Sequence, residues 1–338
     1  MSYEFKIERT TAPKVKPADE SKLGFGKIFT DHMFIMNYDE GQGWHDGRVV
    51  PYGPLSLDPS SMVFHYAQEL FEGLKAYRVA DGSIQLFRPQ KNIERMNNTC
   101  DRLCVPRLDP DMVLEAIKTV VDVDKDWVPH NDGTSLYIRP FIFGDEVSFS
   151  VLPAKHYRFM IILSPTGSYY AGNDKGLQTT RIYVEDEYIR AAPGLTGYTK
   201  CGGNYAASIK AGELAEKKGY SQVLWLDGVE KKYVEEVGAM NIFFKIDGKV
   251  YTAACEGTVL PGVTRRSIIE LLRDWGYEVI EGKYQLSYMP KDKKPVEEYL
   301  KLQGRFSHMF KPGNEWMIEQ VQKEVDRNWE ELLKLCEL

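Results

Sequence analysis

Cysteine is scarce in this chain. Of its 338 residues only Cys100, Cys104, Cys201, Cys255 and Cys336 are cysteines, an odd number with no CxxC pair. That excludes a dense disulfide framework and suits reduced thiols in a cytoplasm. Cys100 and Cys104 stand four residues apart, a spacing that reads as core packing on one helix face, and no metal site is expected. No apolar run is long enough to span a bilayer, so no membrane segment is expected. The opening stretch, MSYEFKIERTTAPKVKPADE, lacks the apolar core of a signal peptide. Basic charge is not in excess either: the formal net charge is -6, the wrong sign for a nucleic-acid partner. There is no GxxxxGK[ST] loop, no strand-anchored GxGxxG, no internal repeat and no low-complexity tract.

What the chain does have is an ordinary globular balance, 43% hydrophobic and 27% charged, at a length that favours two domains. Residues 1–24 read as a polar arm, and residues 25–170 as a smaller α/β domain. In that domain HMFIMNYD, SIQLFRP, SLYIRPFIFG and YRFMIILSP are rich in β-branched and aromatic residues and bounded by turn formers, as strands are. NIERMNNTCDRLCV and PDMVLEAIKTVVDVDKDWV carry apolar residues at helical spacing. The clustering of strands predicts a mainly antiparallel sheet. Polar, glycine-containing SYYAGNDKGL contains the linker, 171–177. A second domain over 178–282 alternates strands (TTRIYVED, SQVLWLDG, NIFFKIDGKVYTAA, GYEVIEG) with helices (NYAASIKAGELAEKKG, TRRSIIELLRDWG). The fold class is α/β in the broad sense that includes α+β. Residues 283–338 form a charged, proline-interrupted tail leading to an amphipathic helix capped at Asn314.

The stretch LTGYTKCGGNYAAS sets Lys200 beside Gly202 and Gly203. A lysine acts as a nucleophile toward carbonyls only where part of it is deprotonated, and glycines let backbone approach a ligand closely. By itself such a turn is an ordinary surface feature. Its company changes the reading. EEVGAMNIFF puts Glu235 and Glu236 at the mouth of an apolar strand. GTVLPGVTRRS opens a helix at Val263 and Thr264, whose N–H groups suit a phosphate, and RPQKNIERM supplies Arg95 for a bidentate contact with one.

From about residue 22 to 282 these segments resemble, in order and wording, the branched-chain amino acid aminotransferases of the fold-type-IV pyridoxal phosphate (PLP) enzymes. The likeness runs through FGKIFTDHMF, FHYAQELFEGLKAYR, LFRPQKNIERM, GTSLYIRP, TKCGGNYAAS, QVLWLDG, EEVGAMNIFF and GTVLPGVTRRSI. The resemblance implies the two-domain fold-type-IV architecture, a homodimer, PLP as cofactor, and transfer of the amino group of leucine, isoleucine or valine to 2-oxoglutarate. It implies that Lys200 forms the Schiff base and shuttles the proton, and that Glu236 pairs with the pyridine nitrogen. Glu235 is the register rival, but Glu236 directly precedes the VGAMN of the family pattern. Tyr205 would face the phenolic oxygen, while Arg95, Val263 and Thr264 would hold the phosphate. Phe25, Tyr66, Phe71, Tyr137, Arg139 and Tyr169 would line the substrate pocket, with Arg139 receiving the second carboxylate of glutamate. D-amino acid aminotransferases and aminodeoxychorismate lyases are related alternatives; FGKIFTDHM, FHYAQELFEG and LYIRP favour the branched-chain group.

Past residue 282 the resemblance stops. The family's GTGTA-type turn, a further phosphate and carboxylate contact, has no counterpart between Glu281 and Leu338. YMPKDKKPVEEYLKLQGRFSHMFKP and VQKEVDRNWEELLKL instead look like the C-terminal tail of the thiamine-binding β subunit of 2-oxoacid:ferredoxin oxidoreductases. The alternative expectation is therefore a chimeric chain, impaired or inactive as a catalyst.

Overall fold

A computed structural model describes residues 3–167 and 181–285. The linker 171–177, Tyr169 and all of the tail beyond Gln285 lie outside the described residues. The chain divides into two compact units, Met1–Ala171 with Thr199–Gly202, and Gly172–Tyr198 with Gly203–Leu338. The turn that carries Lys200 thus packs with the first unit although it lies in the sequence of the second.

In the first unit, β1 (Lys6–Ile7), β2 (His32–Asp39), β3 (Gly43–Pro51), β4 (Glu69–Phe71), β5 (Leu74–Arg78), β6 (Ile84–Leu86), β7 (Ser135–Gly144) and β8 (His156–Thr166) form one sheet. Its order is β1-β3-β2-β8-β7-β5-β6, with β4 also paired to β7. Every pairing is antiparallel except that of β1 with β3. Leu136, Ile138 and Ile142 of β7 and Phe159, Ile161 and Leu163 of β8 point to the core and are fully buried. Each such side chain contributes about 1.5–3 kcal/mol. Alternation along β7 leaves Tyr137, Arg139 and Phe141 half-buried on the opposite face. Toward one end of that face Phe141 and Phe143 pack into a second core with Met33, Ile35 and Met160.

Helix α1 (Met62–Tyr66) precedes β4, and helices α2 (Pro89–Leu103) and α3 (Pro110–Val123) follow β6. Both longer helices open on proline, which forfeits no helical hydrogen bond there. Asp109 caps α3 by accepting from the N–H groups of Asp111 and Met112 at 2.8 and 3.2 Å. Val113, Ala116, Ile117 and Val120 then bury one stripe of α3 at the three- and four-residue spacing read in the sequence.

In the second unit, β9 (Ile182–Glu185), β10 (Gln222–Leu226), β11 (Val234–Val237) and β12 (Met240–Asn241) form a sheet ordered β12-β11-β10-β9. β13 (Phe243–Ile246), β14 (Lys249–Ala253) and β15 (Val279–Gly282) form another. The stretch NIFFKIDGKVYTAA, expected as strand throughout, turns back on itself. Asp247 and Gly248 both take positive φ, 49° and 76°, the geometry of a two-residue hairpin turn. Helix α4 (Gly202–Lys217) packs Ala211 and Ala215 on Val223 and Trp225. Helix α5 (Val263–Asp274) buries Ile268, Ile269 and Leu272 against Phe243 and Val250. No helix of the described residues is long and apolar enough to cross a membrane.

Candidate active site

The Lys200 turn is clamped through its backbone. Its N–H donates to Thr99 Oγ1 of α2 at 3.1 Å, and its carbonyl accepts from the Phe71 N–H of β4 at 3.0 Å. The next residue, Cys201, bridges Leu70. A lysine held in this way keeps its side chain aimed. Nζ lies 4.6 Å from the centroid of the Phe71 ring. The Arg139 guanidinium lies 4.5 Å from the same ring and donates to Tyr137 Oη at 3.0 Å. Phe25 packs edge-on against Tyr137, with centroids 4.9 Å apart. The structure therefore brings Lys200, Phe71, Tyr137, Arg139 and Phe25 into one aromatic, cationic cluster. Tyr66 ends α1, and its hydroxyl donates to the Phe149 carbonyl.

The sequence leads one to expect Arg95 facing a phosphate or in a helix-surface ion pair. Arg95 is buried and is no surface ion pair: Glu72 grips it with both oxygens, Nε to Oε1 at 2.7 Å and Nη2 to Oε2 at 2.9 Å. Asn92 Nδ2 adds a third donor to Glu72 at 2.9 Å. Burial alone would push the Glu72 carboxyl up. The charge of Arg95 and its hydrogen bonds, with Lys200 and Asn92, outweigh that and hold the carboxyl below its ordinary range. Glu72 is not visible as a site residue in the sequence, where it stands next to Phe71 with nothing to mark it as the partner of a residue 23 positions on.

The second unit holds its own cluster. Glu236 of β11 is buried, with Oε1 accepting from Asn241 Nδ2 at 3.0 Å and from the Leu260 N–H at 2.9 Å. Its Oε2 lies 3.0 Å from Nε of the buried Arg190. Leu260 leads through Pro261 and Gly262 into α5, so the loop that fixes Glu236 also opens the helix at Val263 and Thr264. A Cβ on Gly262 would collide with Asn241 Oδ1, so only glycine lets the loop approach this closely. Gly262 caps α5 without a side-chain bond, and the first turn holds no acidic residue. The first N–H groups of such a helix have no acceptor within it and favour an anion. Tyr205 lies half-buried in the first turns of α4. Glu235 faces elsewhere: its Oε1 accepts from Thr258 Oγ1 at 2.5 Å, and it lines a cavity of about 180 Å³ with Asp227, Tyr233 and Lys283. Burial pushes the Glu235 carboxyl up, against the bond from Thr258 and the pull of Arg190. Arg190 and Asn241 carry no signal of their own in the sequence, although Asn241 lies inside EEVGAMNIFF.

Residues 69–293, a span holding Lys200, both carboxylates and the α5 turn, match the Amino-transferase class IV family. The chain belongs to that family. This class IV aminotransferase is 57% identical over 279 residues to the branched-chain-amino-acid transaminase 1 of Bacillus subtilis (strain 168), covering 82% of this chain and 78% of that one. It is 49% identical over 321 residues to a probable branched-chain-amino-acid aminotransferase of Staphylococcus aureus (strain N315), covering 95% of this chain and 86% of that one. The latter alignment is long enough to run past residue 283. Among solved structures, the fold is similar to the branched-chain amino acid aminotransferase of Escherichia coli, with TM-score 0.59 and 26% identity over 75% of this chain and 77% of that one. It is equally similar to a T.th. branched-chain amino acid aminotransferase with pyridoxamine 5'-phosphate, with TM-score 0.59 and 26% identity over 75% and 78% of the two chains. In this aminotransferase the matched span thus includes both the half-buried residues of β7 and the turn at Lys200.

Proposed function

We propose that the chain is a PLP-dependent branched-chain amino acid transaminase, moving the amino group of leucine, isoleucine or valine to 2-oxoglutarate. The observation that carries this is the backbone-clamped Lys200, with its amine over Phe71 beside Arg139 and Tyr137. The donor sets fit the cofactor. A buried carboxylate held by Arg190, Asn241 and the Leu260 N–H suits a protonated ring nitrogen, and the acid-free first turn of α5 suits a phosphate. When bound, PLP supplies an aldehyde carbon that exchanges amino groups and a ring that withdraws electrons.

The chain's own residues do the rest. The Lys200 amine would remove and return the proton at the substrate Cα. Glu236, held by Asn241, the Leu260 N–H and Arg190, would pair with the protonated ring nitrogen. Arg95, Val263 and Thr264 would hold the phosphate, and Tyr205 would face the phenolic oxygen. Phe25, Phe71, Tyr137, Tyr66 and Tyr169 exclude water from the aliphatic side chain, each buried CH₂ contributing about 0.8 kcal/mol. Arg139 receives the distal carboxylate in the second half-reaction as a charge-assisted pair. A homodimer is supported by a cluster of exposed apolar residues, Phe64, Val147, Phe149, Val151 and Leu152. We place the enzyme in the cytoplasm and read its domains as 25–170 and 178–282, with the Lys200 turn of the second grouped with the first unit.

The visible absorption spectrum of the protein incubated with PLP tests this. A band that shifts when leucine is added is expected; a band indifferent to leucine would sink the reading. A second reading, of an impaired enzyme, is favoured by the missing Gly-Thr-Gly-Thr run. It predicts a band that forms and shifts, with slow turnover. The assignment between the two adjacent carboxylates is tested separately. Glu236→Ala is expected to lower kcat, measured per cofactor-loaded protein, by roughly a hundred-fold, the scale of losing one preorganised charge contact. Glu235→Ala should cost under about ten-fold, because Glu235 faces Thr258; the reverse ranking would move the role to Glu235.

A further inference from the structure

Glu69 stands on the ligand-side face and has no part in the function proposed above. β4 sets Glu69 opposite Phe143 and Phe71 opposite Phe141, and β5 sets Lys75 opposite Tyr137. Residues directly opposite share a face, as do alternate residues of one strand. Glu69, Phe71, Lys75, Tyr137 and Arg139 therefore project to the same side of the sheet. Phe71, two residues from Glu69, carries both the Arg139 guanidinium and the Lys200 amine on its ring. The Glu69 carboxyl accepts the N–H of Gly202, two residues beyond Lys200. It lies so close that a Cβ at Gly202 would collide with Oε1, so the glycine is what admits it. Burial pushes this carboxyl above its ordinary range, opposed by the Gly202 N–H and by the charge of Arg139.

We infer that Glu69 sets the balance between the two substrate types: its carboxylate, tethered at Gly202 beside Arg139, opposes the distal carboxylate of a dicarboxylic oxo acid and leaves an aliphatic side chain unopposed. The inference rests on the transaminase reading. It is specificity through a repulsive element, and it lets one pocket release a dicarboxylate that a bare arginine would hold. The charged group that acts on Glu69 is the Arg139 guanidinium, so the charge that Glu69 offsets is that of Arg139.

The test is Glu69→Gln, which keeps the volume and an oxygen for the Gly202 N–H but removes the charge. Calorimetric titration of the cofactor-loaded protein would use two unreactive probes: glutarate, a dicarboxylate, and 4-methylpentanoate, which has the shape of leucine without its amine. In the variant the Kd for glutarate is expected to fall about five-fold relative to that for 4-methylpentanoate, the scale of one partly screened like-charge contact. The KM for 2-oxoglutarate should fall relative to that for leucine in step. An unchanged or weaker glutarate Kd would overturn the inference, as would an equal shift for both probes, which is what a merely structural role would give. Failure of the leucine-induced spectral shift in the parent would remove the transaminase reading itself; that shift with no change in the glutarate ratio would remove the role of Glu69 alone.

Discussion

Lys200→Ala is expected to lower leucine-dependent turnover by at least roughly 10²–10⁴-fold, the scale of losing a positioned proton carrier, and to abolish borohydride trapping of the cofactor. The size of the effect follows from how Lys200 is held. Both of its backbone hydrogen bonds, to Thr99 and from Phe71, survive truncation of the side chain, and so does the Cys201–Leu70 bridge. Alanine should therefore leave the turn where it is and remove only the amine. Thermal stability without cofactor should change by less than about 1 kcal/mol, as for a substitution that opens no core cavity. A large loss of turnover with an unchanged apo melting curve separates chemistry from folding. Persistent trapping in Lys200→Ala would move the covalent role to another lysine and sink the assignment.

Much of the first unit is legible in the sequence. HMFIMNYD coincides with β2 as an apolar run buried on both faces, and SLYIRPFIFG with β7, where buried and half-buried residues alternate over most of its length. β3 is not legible. GWHDGRVVP opens on glycine, holds Asp46 at positive φ and lies against an irregularity in β2, so its pairing comes from the neighbouring strand and not from its own propensity. NIFFKIDGKVYTAA reads as continuous strand because its apolar residues run on; the Asp-Gly pair that turns the chain is the signal that should outweigh them. At the site, Lys200, Glu236 and the α5 turn are legible through the glycines and apolar strands around them. Glu72 for Arg95 and Arg190 for Glu236 are not, because an ion pair between residues 23 or 46 positions apart leaves no local periodicity. Sequence pattern marks which residues a backbone aims; it does not say which buried charge meets which.

The Glu72–Arg95 pair carries the other large effect. Glu72→Ala is expected to destabilise the protein by about 3–5 kcal/mol, read as a lower denaturation midpoint, because it strands the buried Arg95 guanidinium without its carboxylate. The pH dependence has a definite sign. The folded Glu72 carboxyl lies below its ordinary value, so its contribution is fully present above the ordinary carboxylate range and is lost as the pH falls through the depressed folded value. The stability gap between parent and Glu72→Gln should therefore be constant near neutrality and close in acid. A gap that widens in acid would mean that Glu72 is neutral in the folded protein. The double variant Glu72→Met, Arg95→Met discriminates further. If the single substitution is costly because it strands a charge, removing both charges should recover much of the stability, since an apolar pair of similar volume is often no worse than a buried ion pair. The same double variant should still lose its grip on PLP, because it lacks the guanidinium assigned to the phosphate. Recovery of folding without recovery of cofactor binding would separate the two tasks that Arg95 combines: neutralising Glu72 inside the first unit and presenting a positive charge to the cofactor.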